Sequence, residues 1–213
     1  MEKILLIGGG GHCESVIDSI MGNSSFEIIG VLDTPEKVGE TISGIPVIGV
    51  DEDLQKWHNK GIQNAFITLG SIGHTQLRQK LFQQAKELGF SFPVIKDKTA
   101  IISNRTTINE GTFIGKGVIV NASVEIGKLA IINSGAIVEH GSTIGDYCHL
   151  APGSTLSGNV NIGKSTHIGT NTTIIQGIEI GKETIIGAGS VVIRNIGSFK
   201  IAYGNPCKEA TNE

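Results

Sequence analysis

An aliphatic side chain recurs at every sixth position through the second half of the chain, and this spacing restricts the fold more than any other feature. The series has sixteen members with no failure and no insertion: Ile102, Ile108, Ile114, Val120, Ile126, Ile132, Val138, Ile144, Leu150, Leu156, Ile162, Ile168, Ile174, Ile180, Ile186 and Val192. A helix repeats about every 3.6 residues and a strand about every two, so neither explains a period of six. A short strand followed by a tight turn explains a period of six residues.

Three such sides make a coil of 18 residues, in which each aliphatic side chain stacks on that of the next coil at a spacing of about 4.8 Å. The 96 residues from Ile102 to Gly197 therefore form a little over five coils. A small or β-branched residue stands four positions after each aliphatic one, and we expect these residues to be buried at the corners. Cys148 is one of these corner residues.

The chain before the repeat has the pattern of a small parallel α/β domain. An apolar strand over residues 3–7 leads through four glycines at 8–11 into a helix over residues 13–21, and a second strand follows over residues 26–32. The residues expected on the buried face of the helix are Val16, Ile17, Ile20 and Met21.

A third strand is predicted over residues 65–69 and a second helix over residues 75–88. The residues expected to face inward from this helix are Leu77, Leu81, Ala85 and Leu88. The sequence thus predicts a Rossmann-like domain over residues 1–95 and a β-helix domain with a C-terminal tail over residues 96–213.

The glycine turn is suited to bind an anion. A turn that leads into a helix N-terminus presents backbone N–H groups, and an acidic residue after the second strand, here Asp33, suits the hydroxyls of a ribose or another sugar. The dinucleotide fingerprint is incomplete, because Cys13 occupies its third glycine position and a second mononucleotide-binding half is missing. We therefore favour a nucleotide-sugar or another small anion over NAD, with a purely structural turn as the alternative.

Charge and cysteine content argue against several classes of protein. The net charge of −3 and the pI near 6.1 leave no basic field for a nucleic acid. Three cysteines without a CxxC pair argue against a disulfide scaffold or a structural zinc site. No apolar run approaches the roughly 18 residues of a membrane span, and the apolar run after Met1 is too short for a signal peptide. We expect a cytoplasmic protein that does not bind membranes.

Three of the six histidines are informative on the six-residue grid. His149 and His167 are 18 residues apart, so they are expected to stack on one outward edge of consecutive coils. No third metal ligand is in register with them, and an exposed polar edge is the simpler interpretation. His140 follows Val138 by two positions and is, on the residues alone, either a functional side chain or a solvated one.

Four segments carry a resemblance to a known family. They are GGGGH at residues 8–12, IINSGAIVEH at residues 131–140, GDYCHLAPG at residues 145–153 and GNP at residues 204–206. In this combination the chain resembles the hexapeptide-repeat sugar O- and N-acetyltransferases of the sialic-acid and bacillosamine type. The resemblance implies a left-handed β-helix, acetyl-CoA as co-substrate, and a homotrimer with its active sites between subunits. No metal is expected, since no third ligand is in register with His149 and His167.

The resemblance also implies roles for individual residues. His140 is expected to be the general base, Asn133 to lie beside the acceptor, and His149 to contact acetyl-CoA. The positions expected to lie along coenzyme A are Gly158, Thr170 and Ala188. The positions expected to line the nucleotide-sugar pocket are Gly10, Gly11, His12, Asp33 and Gly70.

One position departs from the family pattern. In the bacillosamine-type enzymes an acidic residue directly follows the base and raises its basicity, whereas this chain has Gly141. Either His140 is less basic than in those enzymes, or another carboxylate, such as Glu139 or an acid of the adjacent subunit, takes over this role.

The leading interpretation is an N-acetyltransferase that acts on a UDP-linked amino-deoxy sugar in the synthesis of a glycan precursor. An acceptor ammonium must lose a proton before its nitrogen attacks a thioester, and an imidazole suits that task near neutral pH. We expect direct attack without an acyl-enzyme, because Cys148 is buried and Cys13 belongs to the other domain. Two alternatives stay open: O-acetylation of a sialic acid or related precursor, and a non-catalytic protein that binds a nucleotide-sugar and assists a biosynthetic partner.

Overall fold

The computed structural model describes residues 1–210, which divide into two compact units. The first unit comprises Met1–Gly70 and Thr75–Lys98. The second comprises Ser71–His74 and the chain from Thr99 onward. No helix within the described residues is both long enough and apolar enough to span a membrane.

A five-stranded sheet forms the centre of the first unit. Its strands are β1 (Glu2–Ile7), β2 (Phe26–Leu32), β3 (Thr41–Ile42), β4 (Ile45–Gly49) and β5 (Asn64–Ile67), in the order β3-β4-β2-β1-β5. Neighbouring strands are parallel, except that β3 and β4 form an antiparallel hairpin. The inner strand β1 is buried over four consecutive residues, which is typical of a parallel strand covered on both faces.

Three helices accompany this sheet: α1 (Gly11–Asn23), α2 (Leu54–Asn59) and α3 (Gln76–Glu87). A short strand, β6 (Ile95–Lys96), follows them. The buried residues of α1 are Cys13, Val16, Ile17, Ser19 and Ile20, and those of α3 are Arg78, Leu81, Phe82 and Ala85.

Two residues that were predicted to be buried in the core are exposed, so these two predictions are wrong. Met21 is 61% exposed and Leu77 is 54% exposed. Successive residues on a helix are about 100° apart, so Met21 lies one step beyond the buried stripe that ends at Ile20. Leu77 lies one step before the stripe that begins at Arg78. Leu88, also expected to face inward, is half-buried just after the end of α3.

Sixteen two-residue strands, one for each aliphatic position, build the second unit. They are β7 (Ile101–Ile102), β8 (Thr107–Ile108), β9 (Phe113–Ile114), β10 (Ile119–Val120), β11 (Glu125–Ile126), β12 (Ile131–Ile132), β13 (Ile137–Val138), β14 (Thr143–Ile144), β15 (His149–Leu150), β16 (Thr155–Leu156), β17 (Asn161–Ile162), β18 (His167–Ile168), β19 (Thr173–Ile174), β20 (Glu179–Ile180), β21 (Ile185–Ile186) and β22 (Val191–Val192). Two further strands, β23 (Ile201–Tyr203) and β24 (Lys208–Glu209), form an antiparallel pair after the last coil.

Each strand from β7 to β19 pairs in parallel with the strand 18 residues further on, as in the pairing of Ile119 with Ile137. The pairings give three sheets, one for each side of the coil. Their orders are β7-β10-β13-β16-β19-β22, β8-β11-β14-β17-β20, and β9-β12-β15-β18-β21-β23-β24. The predicted three-sided solenoid with an 18-residue coil is therefore confirmed.

The aliphatic series fills the axis of this solenoid. Fourteen of its sixteen side chains are buried, and the remaining two, Ile102 and Ile108 at the first coil, are partly buried. The corner residue Cys148 is fully buried as predicted, and its thiol donates a hydrogen bond to the carbonyl oxygen of Gly163 at 3.0 Å. The solenoid is thus a rigid frame, on which the side chains at the outer edges keep a fixed 18-residue register.

Candidate active site

The side chain of His140 lies at a corner of the solenoid, two residues after the end of β13. A Cβ atom added to Gly158, one coil further on, would lie 2.7 Å from Nε2 and 2.8 Å from Cε1 of His140. The imidazole therefore occupies the space that a side chain at position 158 would need. The coils are also joined here, because the N–H of Asn159 donates to the carbonyl oxygen of His140 at 2.9 Å.

A carboxylate lies next to the other ring nitrogen of His140. Oε2 of Glu139 is 3.5 Å from Nδ1, and the two side chains are 39% and 67% exposed respectively. Of the carboxylates considered from the sequence, the structure thus places Glu139 against His140. This contact leaves Nε2 on the side of Gly158.

Gly141 has a left-handed backbone with φ of +69°. Oδ1 of Asn159 occupies the position where a Cβ at residue 141 would be. A side chain at position 141 would therefore require both a strained backbone and displacement of Asn159. Gly141 therefore leaves room for the side chain of Asn159.

Asn133 and His149 lie side by side on consecutive coils. Nδ2 of Asn133 is 3.4 Å from Nε2 of His149. Oδ1 of Asn133 accepts a hydrogen bond from the N–H of Ser134 at 2.8 Å. Nδ1 of His149 is 2.9 Å from the carbonyl oxygen of Ser71. The segment that precedes α3 thus reaches one of the predicted site residues, and sequence reasoning missed this contact.

His149 and His167 stack as the 18-residue spacing predicts. They are paired in register, and their ring centroids are 4.9 Å apart at an interplanar angle of 69°. His167 is only 7% exposed, so the interpretation as an exposed polar edge is wrong for this residue. Burial, together with the neighbouring His149, lowers the pKa of His167 to about 4, and its ring is neutral at pH 7. Among residues 1–210, no group of three or more His, Cys, Asp and Glu side chains is placed to hold a metal ion.

Thr170 and Ala188 lie at equivalent corners of consecutive coils, and both are exposed. The carbonyl oxygen of Thr170 accepts a hydrogen bond from the N–H of Gly189 at 2.8 Å. These two predicted coenzyme A positions therefore form one continuous edge parallel to the solenoid axis.

In the first unit, the glycine turn is tied to Asp33. The carboxylate of Asp33 accepts hydrogen bonds from the N–H of Gly9 at 2.7 Å, from the N–H of Thr34 at 2.7 Å and from Nζ of Lys37 at 2.9 Å. Burial alone would raise the pKa of Asp33, but the hydrogen bonds from Lys37, Thr34 and Gly9 outweigh it and lower the pKa below the ordinary value. Sequence reasoning missed Lys37, although its position four residues after Asp33 was a usable signal.

The remaining predicted positions of the glycine turn are open. A Cβ at Gly10 or Gly11 would meet no atom within 4 Å. A Cβ at Gly70 would meet only Cβ of His12, at 3.8 Å, so these two residues are close. This unit also has a cleft of about 280 Å³, and of the five predicted nucleotide-sugar residues only Asp33 lines it. The lining residues are Gly8, Asp33, Thr34, Pro35, Val50, Asp51, Glu52, Leu69, Leu77 and Leu81.

Two family models match the sequence. The PglD N-terminal domain matches residues 3–85, and the bacterial transferase hexapeptide (six repeats) matches residues 159–194. A comparison with the curated proteins finds no match.

Several solved structures resemble the chain over its whole length. A variant of perosamine N-acetyltransferase from Caulobacter crescentus, in complex with CoA and GDP-perosamine, is 34% identical with a TM-score of 0.94, over 100% of this chain and 98% of that one. PerB from Caulobacter crescentus, with the same two ligands, is 35% identical with a TM-score of 0.92, over 99% and 98% of the two chains. The acetyltransferase domain of PglB from Neisseria gonorrhoeae FA1090, in complex with acetyl coenzyme A, is 28% identical with a TM-score of 0.91, over 98% and 99%.

The fold defines a class, the acyltransferases that carry an α/β domain in front of a left-handed parallel β-helix of hexapeptide repeats. Within this class, the chain belongs to the family of sugar N-acetyltransferases that the matching structures represent. The predicted fold class and the predicted sugar acetyltransferase are both confirmed.

Proposed function

We propose that the protein transfers the acetyl group of acetyl-CoA to the amino group of a nucleotide-linked amino-deoxy sugar, with His140 as the general base. The observation that carries this proposal is the placement of His140. Nε2 of its ring lies over Gly158, while Nδ1 faces the carboxylate of Glu139 at 3.5 Å. With Nδ1 beside a carboxylate, the second ring nitrogen is available for a proton from the acceptor.

The reaction runs by direct attack. Nε2 of His140 takes a proton from the acceptor ammonium, and the free amine attacks the thioester carbonyl carbon. The C–S bond of the tetrahedral intermediate then breaks, the remaining proton of the attacking nitrogen passes to the leaving sulfur to give the amide and the coenzyme A thiol, and the His140 imidazolium returns its proton to solvent. The developing oxyanion needs a hydrogen-bond donor. The backbone amide of Gly158, at the corner next to His140, is the donor that we propose.

We propose that residues 96–213 hold acetyl-CoA and carry out the transfer. His149, Thr170 and Ala188 line the coenzyme, and Asn133 lies beside the acceptor. The support is the continuous exposed edge of Thr170 and Ala188 and the direct contact between Asn133 and His149. Gly158 serves the same site because it makes room for the base.

We propose that residues 1–95 bind the nucleotide-sugar, through Gly10, Gly11, His12, Asp33 and Gly70. The open backbone of the glycine turn at the start of α1 can donate hydrogen bonds to phosphate oxygens. The nucleotide is either UDP, as the resemblance to bacillosamine-type enzymes implies, or GDP, as in the ligand bound to PerB.

We further propose that the active form is a homotrimer. In support, isoleucines occupy equivalent outward positions on three paired strands of one solenoid face: Ile101, Ile119 and Ile137. The chain mass of 22.4 kDa gives about 67 kDa for the trimer. Light scattering coupled to size-exclusion chromatography measures this mass, and a species near 22 kDa would contradict the proposal.

The test of the function is thiol release from acetyl-CoA with a panel of acceptors: UDP- and GDP-linked 4-amino sugars and free sialic acids. We expect release with an amino-sugar, and a loss on the order of 10²-fold or more in His140→Ala. Near-normal turnover in His140→Ala would contradict the assignment of the base. Release with sialic acids alone would favour O-acetylation instead.

A further inference from the structure

The hydrogen bonds around Asn133 fix the orientation of its amide. Its Oδ1 accepts the N–H of Ser134 at 2.8 Å, and a nitrogen at that position could not accept. The atom that faces Nε2 of His149 at 3.4 Å is therefore Nδ2, which can only donate.

The same argument fixes the proton of His149. Its Nδ1 is 2.9 Å from the carbonyl oxygen of Ser71, which is only an acceptor, so Nδ1 carries the proton. In the neutral ring Nε2 is then unprotonated, and it faces the donor Nδ2 of Asn133. Ser71 and Asn133 thus impose the same state on His149: neutral, with its proton on Nδ1.

The segment Ser71–His74 that supplies this carbonyl is packed against the solenoid. Gly73 has φ of +75°, and a Cβ added to it would lie 2.5 Å from Cδ1 of Ile185. Ile185 is in the same column as His149 and His167, since it pairs with His167 in register. The close approach of Gly73 therefore holds the segment on the column of side chains that includes His149.

We propose that the segment Ser71–His74 is a positioning element of the acetyl-CoA site, which holds His149 so that Nε2 accepts a hydrogen bond from an amide N–H of the pantetheine arm. Because Nε2 has one lone pair, this N–H replaces Nδ2 of Asn133, which lies 3.4 Å away in the free protein. This inference rests on the proposed function, and it specifies the direction of the contact. A carbonyl oxygen cannot donate, so the thioester carbonyl is not the partner of His149. The oxyanion that develops on the thioester carbonyl is instead stabilised by backbone N–H donors, such as that of Gly158.

The tautomer is measured first, because it does not depend on activity. In the ¹⁵N NMR spectrum of the labelled protein above pH 7, we expect His149 to show a protonated Nδ1 and an unprotonated Nε2, with assignment by His149→Gln. A protonated Nε2 in the free protein would overturn the proposal, whatever the enzyme acetylates.

The ligand group is tested by calorimetric binding of acetyl-CoA and of free CoA, which has the pantetheine arm but no thioester. We expect His149→Ala to weaken both ligands equally, roughly fivefold, since one neutral hydrogen bond is lost. Weakening of acetyl-CoA alone would show a contact with the thioester and overturn the proposal. If the wild-type protein binds neither ligand, both this inference and the proposed function are overturned. If it binds CoA but acetylates no acceptor in the panel, only the proposed function is in question and this inference stands.

The role of the segment is tested by Gly73→Ala, which forces the new Cβ against Ile185. Gly117→Ala is the matched control, because Gly117 has a similar φ of +65° but open space around its Cβ position. We expect Gly73→Ala to weaken CoA roughly fivefold and to alter the His149 signals, with Gly117→Ala unchanged in both. The double variant Gly73→Ala/Ile185→Val lacks Cδ1 and is expected to restore binding. Unchanged CoA binding and His149 signals in Gly73→Ala would overturn the proposal.

Discussion

The placement of His140 over Gly158 predicts a large catalytic effect from a single methyl group. In Gly158→Ala the new Cβ would lie 2.7 Å from Nε2 of His140, whereas an ordinary contact needs at least 3.4 Å. The ring must therefore move by about 0.7 Å. Displacement of a reacting group by about 1 Å can cost on the order of 10²-fold, so we expect kcat to fall between about 10- and 100-fold. The free energy of unfolding should change by less than about 1 kcal/mol, because the exposed His140 side chain can swing into solvent.

The assay is steady-state thiol release with saturating acetyl-CoA, together with calorimetric Kd values for CoA. Gly197→Ala is the matched control, since Gly197 is also in the solenoid and its Cβ would meet only the Lys200 side chain, at 3.8 Å. If Gly158 served only to admit coenzyme A, Kd would rise while kcat at saturation stayed constant. That outcome, or turnover within twofold of wild type, would refute the argument that Gly158 makes room for the base.

Three further predictions address neighbouring groups. Glu139→Gln keeps the size of the side chain but removes its charge, and we expect kcat to fall roughly tenfold with the KM for acetyl-CoA unchanged; a steady-state comparison in which only KM changes would contradict this role. The lowered pKa of Asp33 means that its ionised form stabilises the fold above the unfolded pKa and that this stability is lost as the pH falls through the folded pKa. Asp33→Asn should therefore lower Tm at pH 7, and the difference in Tm should shrink as the pH falls through the folded pKa; an equal difference at every acidic pH would argue against it. Cys148→Ala should cost about 1 kcal/mol of stability through the lost hydrogen bond, and intact-mass spectrometry of wild type with acetyl-CoA should show no acetylated enzyme; a stable acetyl adduct on Cys148 would refute direct attack.

The solenoid could be predicted from the sequence because its determinants are local and repeated. Each hexapeptide contributes one axial side chain, and the same requirement returns sixteen times, so a single irregular coil cannot hide the period. The stacking of His149 on His167 follows from the same register, since residues 18 apart must be neighbours. The six-residue spacing does not determine the handedness of the coil, which follows only from the family resemblance.

Other features depend on packing between segments distant in sequence. Met21 is as apolar as the buried residues of α1, and only the position of the sheet decides which stripe of the helix is covered. The contact between Ser71 and His149 joins residues 78 positions apart, outside any repeat. The sequence did not predict the burial of His167 for a related reason. The hexapeptide repeat specifies the side chains that point to the axis, and it does not indicate which outward side chains other segments cover.

The position of the acid next to the base is decided by the geometry of the corner. Residue 141 lies in a column of left-handed residues with Ser123, Asn159 and Gly177, and Asn159 fills the space beneath Gly141. Asn171 fills the space beneath Gly153 in the same way, so an Asn under a left-handed Gly is a general packing solution of this solenoid rather than a feature of the site. A carboxylate at position 141 would have to displace the side chain of Asn159, so with Asn159 in this place a carboxylate approaches His140 from the other side of the chain. Glu139 is placed to do so, and Glu139→Gln therefore tests whether the acid has moved from one side of the base to the other.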